Sequence, residues 1–129
     1  MSEWHAGSGT PILLGLEAVS EERVIDEVVN ALAGRPEILD LDELRRAVWE
    51  RQQVQPPLLG SGVALPHART AAVREMVVAI GRCREPVAFG PARVPVRLVF
   101  LYGVPAHRIA DYLGTVARLA RLLKTPGVL

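Results

Sequence analysis

Cysteine is almost missing from this chain of 129 residues. Cys83 stands alone, so no internal disulfide can form. A single thiol suits a reducing compartment. Aromatic residues make up only 5% of the sequence, too few for the stacked platforms that hold single-stranded nucleic acid. Neither sign of charge predominates. Fifteen basic and 14 acidic residues leave a formal net charge of +1, hence no broad field to draw nucleic acid or an anionic membrane. Long hydrophobic runs are lacking too: VFLYGVPA is far too short to cross a bilayer. The opening MSEWHAGSGT has no basic start followed by an apolar stretch, so it is not a secretory signal. His5, His67 and His107 are scattered, without metal-ligand spacing. Together these absences predict a cytoplasmic protein with no nucleic-acid partner, no direct membrane insertion, no metal and no cofactor.

What is present is an ordinary globular composition, half hydrophobic and 22% charged. It predicts a flexible N-terminus over 1–9 and one domain over 10–129. PILLGL (11–16) is a candidate strand. Ser20 stands at a helix N-cap position, with Glu21 and Glu22 in the first turn, where carboxylates suit the helix dipole. Val24, Ile25, Val28, Val29 and Leu32 recur at helical spacing, and Gly34 is placed to end that helix. Asp40 opens a second helix, with Glu43 three residues on as in a capping box. Leu41, Leu44, Val48 and Trp49 form its apolar face, and it ends near Val54, before two prolines. MVVAIGRC (76–83) is rich in β-branched residues and predicts a strand. EPVAFGPARVP (85–95) holds three prolines and predicts loop or edge strand. VRLVFLYGV (96–104) predicts a central strand covered on both faces. A last helix is expected over 109–124. The order of elements predicts an α/β class: a single layered domain, a mixed β-sheet flanked by helices.

GSGVALPHART (60–70) is the stretch that invites chemistry. A neutral imidazole is a nucleophile near neutral pH, because its ordinary pKa is about 6.5. For a phosphoryl group, a protein mainly supplies position and positive charge. His67 has suitable company. Gly60 and Gly62 allow backbone N–H groups, with Ser61 between them, to approach a ligand. Arg69 lies two residues on, and Arg51 stands at the end of the second helix. Guanidinium groups match phosphate oxygens in bidentate geometry. Pro66 fixes one backbone angle before the histidine. A solvent-facing loop histidine is the plain alternative for such a pattern. A hydrolase using Ser61 or Cys83 with His67 is a third possibility. Ser61 is not on a nucleophile-elbow pattern, and Cys83 lies in an apolar run.

LLGSGVALPHAR closely resembles the signature around the phosphorylated histidine of type 2 enzyme IIA domains. These form the fructose, mannitol and nitrogen-regulatory branch of the bacterial phosphoenolpyruvate-dependent phosphotransferase system. VWERQQVQPPLLGSG, REPVAFG, VPVRLVFLYGVPA and YLGTVARLARLL are similar to further segments of that family, in the same order, over roughly residues 10 to 126. The resemblance implies a mixed sheet flanked by helices. It also implies that His67 accepts a phosphoryl group from the histidine-containing phosphocarrier protein, beside Arg51, and passes it to an enzyme IIB. Nitrogen-regulatory members instead use the phosphorylation state as a signal to a regulatory target protein. Gly60, Ser61, Gly62 and Arg69 are expected around the phosphate. Tyr112 falls where most members carry a second histidine, and is expected beside His67 as a hydrogen-bonding phenol. Members usually continue through another helix, so the domain is expected to lack its usual last helix.

Overall fold

The computed structural model describes residues 9–54 and 56–108, together with Gly114, Ala117, Arg118 and Arg121. The expected flexible start lies outside the described residues but for Gly9. So does most of the helix expected over 109–124, of which those four residues are helical. Two helices and six strands are described. Strand β1 (Ile12–Leu16) leads to helices α1 (Glu21–Asn30) and α2 (Leu41–Val54). Three short strands follow, β2 (Leu58–Gly60), β3 (Val63–Ala64) and β4 (His67–Arg69), then two long ones, β5 (Val77–Phe89) and β6 (Val94–Val104).

Both helices begin where side-chain chemistry starts them. The Arg23 backbone N–H donates to Ser20 Oγ at 3.3 Å, and the Glu43 N–H donates to Asp40 Oδ1 at 3.1 Å. Each bond satisfies a donor that the first turn leaves open. Helix α1 stops at Asn30 rather than running to Gly34. Beyond it, the Leu32 and Ala33 N–H groups donate to carbonyls three residues back, the tighter winding common at helix ends. Leu32 still reaches the core through that turn.

The sheet runs in the order β1-β5-β6-β3-β2, with β4 also paired to β6. Strand β1 is parallel to β5 and antiparallel β5–β6 is the central hairpin. Strands β3 and β4 both lie parallel to β6. Val63 pairs with Leu98 and His67 with Tyr102, so the offset is the same for both. They are one line of strand interrupted at Leu65 and Pro66. The mixed sheet matches the expectation, and its alternating strands sort side chains to two faces. Val24, Ile25, Val28, Val29, Leu44 and Val48 of the helices pack with Ala79, Val99 and Leu101 on one face. Met76, Val78, Phe100, Tyr102 and Val104 cluster on the other. Gly81 lets α1 lie close on its face: a Cβ there would sit 2.6 Å from Leu16 Cδ1 and 2.8 Å from Val28 Cγ2.

The segment read as loop or edge strand at 85–95 is instead the tip of the central hairpin. Its three prolines fit because none breaks a regular rung: Pro91 lies in the turn itself. Pro86 falls where the register shifts between Arg82 and Val87, and exposed Pro95 stands opposite Ala88 near the turn. No helix among the described residues is long and apolar enough to cross a membrane.

Candidate functional site

His67 opens β4 on the sheet face opposite the helices, since its neighbour Ala68 packs in the helix-side core. Two contacts fix the ring. Nδ1 lies 2.8 Å from the Leu65 carbonyl oxygen. A carbonyl can only accept, so Nδ1 carries the proton and the lone pair is left on Nε2. The ring also stacks on Tyr102, its cross-strand partner, with centroids 4.7 Å apart and planes 3° apart. The local backbone makes this possible. Pro66 has no N–H, and its carbonyl accepts the Tyr102 N–H at 3.0 Å, while the Leu65 N–H donates to Pro57. The strand therefore keeps its register with β6 through the interruption.

Burial pushes the His67 pKa below its ordinary value. The Leu65 hydrogen bond opposes that shift, and the positive charge of Arg51 adds to it. His67 is therefore a neutral imidazole near neutral pH. Burial raises the Tyr102 pKa, and Arg51 works against that rise. The guanidinium of Arg51 thus acts on both stacked rings.

Arg51 is exposed on the last turn of α2, and α2 packs over β4. The next residue, Gln52, anchors this turn. It extends the buried stripe of Leu44 and Val48 and is only 2% exposed. Its Nε2 donates to Glu21 Oε2 at 2.7 Å, and the Gly90 N–H donates to Glu21 Oε1 at 3.0 Å. The first turn of α1, the end of α2 and the hairpin tip are tied at one carboxylate, which steadies the turn that presents Arg51.

Other expected residues fall elsewhere. Gly60, Ser61 and Gly62 all have positive φ, forming a tight left-handed turn between β2 and β3. The Gly62 carbonyl accepts the N–H groups of Arg97 and Leu98 at 2.8 and 3.1 Å. Leu98 and Tyr102 are four residues apart on β6, about 13 Å at the usual rise of about 3.3 Å per residue. The turn therefore lies at the far end of the strand line from His67. Its positive φ values serve the chain reversal between β2 and β3. Arg69 shares the His67 side of β4, two residues on, and is exposed. Tyr112 lies outside the described residues. Exposed His107 belongs to the short 3-10 turn Ala106–Arg108. Cys83 is buried in the helix-side core, where burial and then the charge of Glu27 raise its thiol pKa. Cys83 and Ser61 are both separated from His67, so the hydrolase alternative has no geometry. Tyr102 is the site residue that was missed. In sequence it reads as one more apolar position of a central strand. Only the pairing of β4 with β6 brings it onto His67.

Residues 9–129 match the profile of the family described as "Phosphoenolpyruvate-dependent sugar phosphotransferase system, EIIA 2". A fructose-specific EIIABC component of Bacillus subtilis is 31% identical over 113 residues. That match covers 87% of this chain, which spans 18% of the relative's length. The crystal structure of nitrogen regulatory protein IIA-Ntr from Neisseria meningitidis superposes with a TM-score of 0.79 at 32% identity, covering 89% of this chain and 79% of that one. Enzyme IIA-mannitol, solved in complex with phosphorylated enzyme IIB-mannitol of Escherichia coli, shares the fold, with a TM-score of 0.76 at 21% identity over 92% of this chain and 81% of that one. With its mixed sheet, its flanking helices and a profile match across residues 9–129, this chain belongs to the EIIA 2 family of the phosphoenolpyruvate-dependent sugar phosphotransferase system.

Proposed function

We propose that this domain is a phosphohistidine carrier, with His67 Nε2 as the acceptor and the histidine-containing phosphocarrier protein as the donor. The Nδ1 hydrogen bond to Leu65 carries the proposal, because it leaves Nε2 as the nucleophile. In the transfer, the Nε2 lone pair forms the new N–P bond while the donor's N–P bond breaks. The electron pair of that bond returns to the donor imidazole. The proton stays on Nδ1, donated to the Leu65 carbonyl throughout, so no base is required. Arg51 supplies positive charge to the oxygens of the moving group.

Onward transfer goes to an enzyme IIB or is replaced by signalling to a regulatory target. The solved complex of a like fold with enzyme IIB supports the first. The 32% identity with nitrogen regulatory protein IIA-Ntr supports the second. Incubation with phosphoenolpyruvate, enzyme I and the phosphocarrier protein tests the acceptor. It is expected to give an acid-labile, alkali-stable phosphate that NMR assigns to Nε2 and that His67→Ala abolishes. Label that survives His67→Ala, or that sits on His5 or His107, refutes the assignment. Discharge of the labelled domain by a purified enzyme IIB then separates carrier from signal.

A further inference from the structure

The stack between His67 and Tyr102 has a role beyond packing. Tyr102 is 8% exposed and is wedged among Met76, Val78, Phe100 and Val104, with Leu65 alongside. Its ring is therefore a fixed plate. The imidazole lies on it almost flat, 4.7 Å between centroids, within the range of favourable aromatic pairs. The two restraints on His67 are complementary. The plate sets the plane of the ring, and the Nδ1 bond to Leu65 sets its rotation within that plane. An imidazole held by the hydrogen bond alone swings about the bond axis and sweeps Nε2 through an arc. With both restraints, the lone pair has one direction.

We infer that Tyr102 is a positioning residue for His67, holding the imidazole plane so that Nε2 meets the incoming phosphorus in line. The inference rests on His67 as acceptor. In-line geometry is most of what a protein can contribute to phosphoryl transfer. The plate also covers one face of the imidazole, which keeps water from it and favours the neutral, nucleophilic form. The cation–π attraction of a phenol ring for imidazolium works the other way. The charge that bears on both rings is that of Arg51 from α2, which is positive and also favours the neutral imidazole; exposed Arg69 lies two residues on along β4.

Three variants test this: Tyr102→Phe, Tyr102→Leu and Tyr102→Met. Phenylalanine keeps the plate and is expected to hold the phosphorylation rate within about 2-fold of wild type. Leucine is expected to slow it by about 2- to 10-fold, the factor that corresponds to one aromatic pair. Methionine follows leucine, and stands in for it should leucine not fold. Two readouts go beyond a merely structural role. The His67 titration is expected to move up toward its ordinary value in the leucine and methionine variants only, so that their rates fall off at a higher pH than wild type. The ring-current displacement of the His67 protons in NMR spectra is expected to persist in Tyr102→Phe and vanish in the other two. Wild-type rates and pH profiles in folded Tyr102→Leu or Tyr102→Met would overturn the inference, as would a Tyr102→Phe variant that behaves like leucine. The NMR arm needs no phosphoryl donor. If wild-type protein takes up no phosphate while the ring-current pattern holds, the acceptor assignment has failed and not the stack.

Discussion

Replacing Arg51 by alanine removes a guanidinium that acts on both rings of the site. Its charge lowers the His67 pKa and opposes the rise of the Tyr102 pKa. Its loss is therefore expected to move both titrations upward, one on an acid limb and the other on an alkaline limb. The kinetic effect follows from hydrogen bonding. A bond to a charged group contributes about 1.5–3 kcal/mol. Arg51 is exposed at the end of α2, where water competes for the phosphoryl oxygens, so the lower figure applies. About 1.5 kcal/mol corresponds to roughly a 10-fold slower phosphoryl uptake. Arg51→Lys keeps the charge and loses the planar fork, so its titrations are expected to stay near wild type while its rate falls between the two. Single-turnover uptake from the phosphocarrier protein measures the rate, and NMR of the His67 and Tyr102 rings follows the titrations. Wild-type uptake by Arg51→Ala would refute the reasoning. A slow variant with both titrations unmoved would refute it as well, because the loss would then have arisen away from the ring pair.

Two further outcomes concern stability. Because the folded-state pKa of His67 lies below about 6.5, the unfolded chain takes up a proton on acidification before the folded chain does. Stability is then complete above about pH 6.5 and declines as the pH falls toward the folded pKa. Urea unfolding across that window is expected to show the decline in wild type and a shallower one in His67→Asn; parallel curves would assign the decline to other groups. Gly81→Ala places a methyl group against Leu16 and Val28. It is expected to cost about 1–3 kcal/mol by overpacking, read as a lower urea midpoint. Wild-type stability would mean that the two side chains move aside without strain.

Much of the framework was legible along the chain because its causes are local. Ser20 and Asp40 cap their helices with their own side chains. The apolar stripes of α1 and α2 follow from 3.6-residue spacing, and the nearly continuous apolar run at 96–104 reads as a covered strand. Local sequence also singled out His67, through the short loop that carries the family resemblance. The hairpin tip was misread because proline was weighed by its missing N–H alone. Whether that donor is needed depends on the partner strand, and at Pro86 the partner register shifts.

The residues around His67 divide by the same physics. Sequence alone singled out the proposed nucleophile and one cation, since a histidine behind a proline and an arginine at a helix end are recognised by type and neighbour. Tertiary structure decided which groups stand next to them. Gly60, Ser61 and Gly62 are close to His67 in sequence, yet an extended chain carries them away from it at about 3.3 Å per residue. Tyr102 is distant in sequence and lies against the imidazole, because parallel pairing with β6 brings it opposite His67. Cys83 and His67 were separated by the alternation of strand side chains, which sends them to opposite faces of one sheet. Sheet register is a relation between segments, set by the burial of whole faces, and no single stretch of the chain contains it.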